Sequence, residues 1–450
     1  MYEHGGFTLA EFAKRQFQTS HLEMLYRWRL MPCTSHGSDV TRVQWNDGEL
    51  IASEPKDRNT MSRNIPDFAN HLPVKIRFGE GVALTLPAVL KEAGATSAFV
   101  MLDAGAESFN PEVAAVVAKL NAEFPAVTYF HKPGGEPSIE QVDDAIAALK
   151  AAGADAVVAI GGGSVMDTAK AARLCAQRGF TYREFLASDR TYPVPTLPLI
   201  CLPTSAGTGS EVSGGAVISD LQAGTKTGIA NGLLRAQYAL VDPALTYSVP
   251  STMTANTGID ALAQAIAGMV AKCRTPIGDA IALEAIRLMG RSLVKATKNG
   301  ADKDARADMA CGSMMAGLTM NIADCTAEHS LGQAIGGMKH IPHGLTIGLV
   351  LAETLEREAT IVPEQLERVA DALGVPADGT TDGSRAVKAI RQILKDLGFP
   401  VLRDVGVTAD ELGTLTDLAL EDFFITQAPK PWSRDEVLAA FTKAYELTSR

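Results

Sequence analysis

The chain has 450 residues, 46% hydrophobic and 21% charged, with a formal net charge of −11 at pH 7. That length accommodates two domains with cores of their own. The acidic balance argues against a nucleic-acid partner, which needs a clustered basic face to neutralise phosphates.

No apolar run approaches the roughly 18–20 residues that cross a bilayer, and the stretch Met1–Phe7 lacks the basic-then-apolar layout of a signal peptide. Six cysteines stand at Cys33, Cys175, Cys201, Cys273, Cys311 and Cys325, with no Cys-x-x-Cys among them. Such scattering suits buried thiols in a reducing cytoplasm better than a disulfide framework or a zinc site.

Residues 1–73 hold turn-forming clusters such as Trp45-Asn-Asp-Gly48 and Lys56-Asp-Arg-Asn59 and little periodicity. They are expected to form an extension wrapped on the body or partly mobile. From 74 to 250, β-rich runs alternate with helical patterns. The runs are Val74–Phe78, Ala98–Leu102, Val127–Phe130, Ala156–Ile160 and Leu197–Leu202. Ser138 and Gln141 make a capping box for a helix whose apolar face is Val142, Ala145, Ile146 and Leu149. This alternation predicts a parallel sheet covered by helices. A hairpin from Ala216–Asp220 to Thr227–Ala230 interrupts it. After about residue 250 the strand signals fade, and 255–270, 277–297, 303–335, 363–374, 385–398, 408–421 and 434–448 all read as helices. A ligand held by the first half would face the second across a cleft.

Two glycine-rich turns follow predicted strands. The first, Gly161-Gly162-Gly163-Ser164-Val-Met-Asp167, opens a helix after Asp155–Ile160. Glycines let backbone N–H groups approach a ligand, and a helix N-terminus favours negative charge, so this turn suits a diphosphate. The second is Thr204-Ser205-Ala-Gly207-Thr208-Gly-Ser210. Neither is G-x-G-x-x-G, and Gly224-Thr-Lys226-Thr227 is not a Walker A loop. Each turn taken alone also fits a mere tight strand-to-helix connection. Asp103 closes the run Ala98–Leu102; it is placed either to accept from a ribose 2′-hydroxyl or to serve as a cap or solvated turn residue.

A second group lies further on. Asp260 and Gln264 are four residues apart and project from one helical face. His329 sits on the apolar helix after Met314, and His343 follows Ile341-Pro342 at a helix start. Two imidazoles and a carboxylate suit zinc or ferrous iron, whereas one core and one surface histidine is the plain alternative.

Asp242-Pro243, Pro250, Thr257-Gly-Ile-Asp260-Ala-Leu262 and His329-Ser-Leu-Gly-Gln-Ala-Ile-Gly336-Gly337-Met-Lys-His340-Ile-Pro-His343-Gly344 resemble the two signatures of the iron-containing alcohol dehydrogenase family. The two glycine turns resemble that family's cofactor turns in the same order, and Ala428-Pro429-Lys-Pro431-Trp-Ser433 its final connection. The likeness runs from about residue 74 to the C-terminus. It implies an α/β fold: a Rossmann-like parallel-sheet dinucleotide-binding domain (74–250), then an all-helical metal and substrate domain (251–450), the architecture shared with dehydroquinate synthase. It implies hydride transfer between an alcohol and an aldehyde or ketone, with NAD as cofactor, NADP as the alternative, and a divalent metal, Fe2+ or Zn2+. A homo-oligomer is expected on the same ground.

The resemblance assigns the diphosphate grip to Gly161, Gly162, Gly163, Ser164, Asp167, Thr204, Ser205, Gly207, Thr208 and Ser210. It puts Lys226 near the cleft, with a solvated hairpin lysine as the other reading. Metal ligands would be Asp260, Gln264, His329 and His343. Three departures stand out: Gln264 replaces the usual histidine, Gln333 a relay histidine and Ala267 a glutamate. They leave open a metal-independent reductase resembling maleylacetate reductase, in which His329, His343 or His340 would donate the proton. His340 also reads as an exposed turn residue, and Cys325 as packing. A sugar-phosphate cyclase or lyase is disfavoured because Ala263–Gly268 holds no basic group for phosphate; a non-catalytic relative rests on the three departures alone.

Overall fold

The computed structural model describes residues 42–46, 49–53, 68–223 and 225–449. Residues 1–62 and 63–450 form two compact units. In the first, strands β1 (Arg42–Asn46) and β2 (Glu49–Ser53) pair antiparallel, with Trp45 opposite Leu50. The turn-rich composition there does not announce them. Most of the expected extension, Cys33 included, lies outside the described residues.

The second unit begins with β3 (Lys75–Phe78), β4 (Ala98–Asp103), β5 (Val127–Lys132), β6 (Ala156–Gly161) and β7 (Leu199–Pro203). Strands β8 (Gly215–Asp220) and β9 (Thr225–Ala230) then form the anticipated hairpin, and β10 (Tyr238–Val241) returns to the sheet. The sheet order is β3-β10-β7-β6-β4-β5, parallel throughout. β10 is an addition to the expected strands: it follows the β8–β9 hairpin with no α-helix between, outside the strand–helix alternation.

Helices α1 (Leu86–Glu92), α2 (Ala106–Phe109), α3 (Pro111–Glu123), α4 (Ile139–Ala152), α5 (Gly163–Arg178) and α6 (Tyr182–Ala187) connect the strands. Alternate residues of each strand feed opposite faces, as a pleat requires. Phe99, Met101, Val157, Ala159, Leu199 and Cys201 pack against α4, α5 and α6. Val100, Leu102, Val158, Ile160, Ile200 and Leu202 pack against α1 and α3. Both faces are therefore dry, which is why β4, β6 and β7 are nearly unbroken apolar runs. The chain leaves β4 toward β5 and leaves β6 toward β7, in opposite directions across the sheet. β4 and β6 thus flank the topological switch point, where a crevice opens at the carboxyl ends of the strands.

From Ser251 onward the described residues contain no strand. The helices are α7 (Ser251–Val270), α8 (Pro276–Lys298), α9 (Lys303–Ala323), α10 (Ala327–Lys339), α11 (His343–Ala359), α12 (Pro363–Ala372), α13 (Ser384–Asp396), α14 (Leu412–Glu421) and α15 (Arg434–Glu446). α7 is buried from Gly258 to Val270 at the centre of a core shared with α8, α9, α11, α12 and α13. The single helix expected over 303–335 is two. Asp324, at φ 60, ends α9, and α10 restarts after Thr326. α14 begins at Leu412, after a short 3-10 turn, rather than at 408. No helix among the described residues is long and apolar enough to cross a membrane.

Candidate active site

The first glycine turn sits at the switch point. β4 and β6 run side by side to Leu102 and Ile160, so Asp103 and Gly161 flank the same crevice. Gly162 is the N-cap of α5, with extended backbone and no capping side chain. The first-turn N–H groups are thereby offered to an anion. The second turn lies against the first: Thr204 N–H donates to Gly161 O at 3.0 Å. A Cβ on Gly162 would lie 3.3 Å from Ser205 Oγ, and one on Gly163 2.7 Å from Thr208. The same turn reaches the helical half, because a Cβ on Gly207 would lie 2.7 Å from Thr257 Cβ.

Several of the predicted cofactor residues have their polar atoms engaged within the protein. Asp167 accepts from Ser210 Oγ at 2.6 Å and from Val217 N–H at 2.9 Å. Fully buried Lys170 donates to Ser210 Oγ at 2.7 Å and to Gly215 O at 2.8 Å. Burial raises the Asp167 pKa against the pull of Lys170. Asp167 and Ser210 therefore brace the two turns and β8 together. Ser164 Oγ donates to Gly135 O at 2.7 Å, closing the loop after β5 over the start of α5. Asp103 is half-buried in register with Lys132. Burial raises its pKa, and Lys132 works in the opposite direction. Lys226 pairs with Glu136 at 2.5 Å and lies near enough to His343 to bear on its protonation.

Across from this cradle, three helices converge. Asp260 and Gln264 are on α7, His329 is in the first turn of α10, and His343 opens α11 behind Pro342. His329 Nε2 lies 3.4 Å and His343 Nε2 3.6 Å from Asp260 Oδ1, and the ligand atoms of all three are within 4.8 Å of one another. Asp260, Gln264 and His329 are each at most 3% exposed. Yet Asp260 Oδ1, Gln264 Oε1 and His329 Nε2 have no hydrogen-bond partner. Buried polar atoms are ordinarily paired, since an unpaired one costs about 1–3 kcal/mol. Buried, unpaired Asp260 Oδ1 and His329 Nε2, with His343 Nε2 beside them, are what a cation would satisfy; one carboxylate and two imidazoles, with the Gln264 amide one helical turn from Asp260, fit a divalent transition metal.

The electrostatics differ across the cluster. Burial opposes ionisation of Asp260, but His343 and His329 hold its carboxyl below the usual range. Burial pushes the His343 imidazole down, toward the neutral form that binds metal. At His329 burial is outweighed by Cys325, Asp260 and Glu328, which raise its pKa well above the ordinary value. Burial pushes the Cys325 thiol up to about 11. His340 is not part of this cluster: it is exposed at the C-cap of α10, in left-handed conformation at φ 53. Gln333 is half-buried and Ala267 buried in α7.

Sequence reasoning missed three contributors. Glu328 Oε1 lies 2.8 Å from His329 Nδ1. Phe424 meets the His329 ring edge-on at 5.9 Å between centroids. Gly344 lets α11 approach α7, since a Cβ there would lie 2.1 Å from Asn256 O and 3.3 Å from Asp260 Cβ. Only Gly344, a glycine beside a candidate ligand, carried a signal. Gly344→Ala is expected to push the start of α11 away and carry His343 with it. The cost should be about 1–3 kcal/mol of stability, with a loss of bound metal. Gly337→Ala, where nothing lies within 4 Å, is the control that should leave both melting temperature and metal content unchanged.

A doubly wound sheet with an open helix N-terminus at its switch point, followed by a helical half with a buried acid–imidazole cluster, is the architecture of a dinucleotide-dependent oxidoreductase. The family model for iron-containing alcohol dehydrogenase matches residues 73–243, and that for the C-terminal part of the Fe-containing family matches residues 254–445. The chain belongs to the iron-containing alcohol dehydrogenase family and is an enzyme of its oxidoreductase class. It is 37% identical over 321 residues to the probable alcohol dehydrogenase EutG of Escherichia coli K12, covering 71% of this chain and 80% of the relative. It is 31% identical over 365 residues to the NAD-dependent methanol dehydrogenase of Bacillus methanolicus, covering 80% and 95%. A crystal structure of 1,3-propanediol oxidoreductase superposes with a TM-score of 0.80 at 26% identity, covering 84% and 100%. Sulfoacetaldehyde reductase from Bifidobacterium kashiwanohense, in complex with NAD+, gives 0.77 at 27%, covering 85% and 99%.

Proposed function

We propose that this enzyme interconverts a small alcohol and its aldehyde or ketone with NAD(H), residues 74–250 gripping the dinucleotide and residues 251–450 holding a divalent metal, Fe2+ or Zn2+, and the substrate. The observation that carries the metal half is the convergence of Asp260, His329 and His343, with ligand atoms within 4.8 Å of one another, Asp260 Oδ1 and His329 Nε2 being buried and unpaired. Asp260, Gln264, His329 and His343 would hold the ion, which supplies Lewis acidity at the substrate oxygen. The nicotinamide would carry the hydride.

The remaining work falls to the chain's own residues. The N–H groups at the start of α5 bind the diphosphate, and Gly162 and Gly163 let it approach. Thr204, Ser205, Gly207 and Thr208 line the facing turn. Lys226, held by Glu136, keeps a positive charge beside His343. Phe424 shields His329 from water on one side. Gln264 favours a second reading, because an amide oxygen binds metal more weakly than imidazole. In that reading the enzyme is a metal-independent reductase and His329 or His343 protonates the carbonyl. We further propose a homo-oligomer in the cytoplasm, supported by the family membership and by the thiols of Cys175, Cys201, Cys311 and Cys325, none of which is in a disulfide.

Metal analysis of the purified protein, combined with an NADH-oxidation screen over small aldehydes and ketones, tests this function. About one equivalent of iron or zinc with turnover is expected. Turnover that survives metal stripping selects the second reading, and no turnover overturns both. Asp103 yields a separate expectation. NAD(H) should be preferred over NADP(H), because a carboxylate at the ribose repels the 2′-phosphate. Asp103→Ser should narrow that preference by about tenfold, roughly 1.4 kcal/mol. A wild-type preference for NADP(H) would remove Asp103 from that role.

A further inference from the structure

We infer that Glu328 is a positioning residue for His329, fixing its tautomer and supplying the second negative charge that a divalent cation requires; this rests on the metal site proposed above. Cys325, Glu328 and His329 form a second group of potential ligands, all buried, with ligand atoms within 4.8 Å of one another. It is not a second ion site, because the Glu328 carboxylate already has donors on both oxygens. Thr326 N–H donates to Oε1 at 3.1 Å, the Thr326 hydroxyl donates to Oε2, and His329 Nδ1 faces Oε1 at 2.8 Å.

Neighbours in a helix normally diverge. Here Glu328 bends back over the N-terminus of α10 to accept from the N–H and the hydroxyl of Thr326, and reaches His329 on the way. An ionised carboxylate only accepts hydrogen bonds, so the imidazole nitrogen facing it must carry the hydrogen. As a neutral ring, the form a metal ligand takes, His329 is thereby held with its hydrogen on Nδ1. Its lone pair is on Nε2, the atom that is buried, unpaired and 3.4 Å from Asp260 Oδ1. A carboxylate behind a ligating imidazole also raises its basicity.

Charge makes the same point. Asp260 and Glu328 are both about 97% buried, on opposite sides of one imidazole. Gln264 is neutral, and Lys226 is balanced by Glu136. With both histidines neutral the cluster carries two negative charges, an expensive arrangement in a dry interior. A dication makes it neutral. Asp260 alone would leave an excess positive charge.

The test measures zinc affinity by competition with a chromophoric chelator, alongside the melting temperature of the metal-free protein and its NADH affinity. Glu328→Gln keeps the shape but loses the charge, and should weaken zinc binding by about 10–100-fold with the other two readouts unchanged. Glu328→Asp, which keeps the charge and withdraws it by one methylene, should fall between. Wild-type zinc affinity in Glu328→Gln, while Asp260→Ala abolishes binding, overturns the role of Glu328 and leaves the metal site standing. Unchanged zinc binding in Asp260→Ala overturns the metal site itself. Nitrogen NMR of labelled histidine in the zinc-loaded wild type needs no variant to fold: His329 should ligate through Nε2 and keep its Nδ1 hydrogen. An Nε2–H form overturns the inference.

Discussion

Asp260→Ala is expected to remove the bound metal and to lower kcat/KM by about a thousandfold, while the metal-free protein melts close to the wild-type temperature. Asp260 is the sole charged group among the four proposed ligands, and both histidines approach the same oxygen, His329 at 3.4 Å and His343 at 3.6 Å. Lewis-acid stabilisation of charge at a substrate oxygen is worth several kcal/mol, and each 1.36 kcal/mol is a factor of about ten in rate. The stability half of the prediction follows from the same geometry. Asp260 Oδ1 has no hydrogen-bond partner and its burial opposes ionisation, so in the absence of metal the attraction of His329 and His343 is offset by a desolvation cost that deleting the carboxylate removes as well. A structural aspartate would behave the other way, with a large fall in melting temperature and little effect on metal content. Assaying metal by mass spectrometry and melting by calorimetry separates the two.

The sheet was legible because its central strands are buried on both faces, which writes them as unbroken runs such as Ala98–Leu102 and Ala156–Ile160. The α4 helix was legible for a different reason: Ser138 and Gln141 form their capping box as spaced. What the pattern hid has physical causes too. β10 is four residues long and follows a hairpin, where the strand–helix alternation that marks the other strands has stopped. The α9–α10 break falls at Asp324, whose positive φ is a tertiary outcome that neither glycine nor proline announces. In the site, the i, i+4 pair Asp260 and Gln264 is a local fact of helix geometry and can be read directly. The meeting of His329 with His343 is not local. It depends on α10 and α11 packing closely, with a Cβ on Gly332 falling 2.5 Å from Ile347, and on Gly344 lying against Asn256. Glu328 was invisible because adjacent helical side chains do not ordinarily touch. Family likeness alone would have grouped Asp167 and Ser210 with the cofactor, whereas their hydrogen bonds join the turns to each other.

Gly162→Val separates the two readings of the opening glycine turn, diphosphate grip or mere tight connection. Gly162 has φ −76 and ψ −173, extended backbone that a β-branched residue adopts without strain. Its only close neighbour would be Ser205 Oγ at 3.3 Å, the end of a rotatable side chain. The fold should therefore absorb valine at a cost of about 1 kcal/mol, mostly the poorer N-cap. The isopropyl group, however, would stand over the first-turn N–H groups of α5 and hold an anion away from them. Cofactor affinity, read by quenching of protein fluorescence with NADH, should fall about 10–100-fold, since lost charge-assisted hydrogen bonds are worth about 1.5–3 kcal/mol. Gly163→Ala supplies the contrast. Its Cβ would collide with Thr208 at 2.7 Å, so stability and cofactor binding should fall together as the second turn is pushed aside. If Gly162→Val lowered stability as much as Gly163→Ala and left NADH binding intact, the turn would be a connection and nothing more, and the dinucleotide would have to be gripped elsewhere along the crevice between β4 and β6.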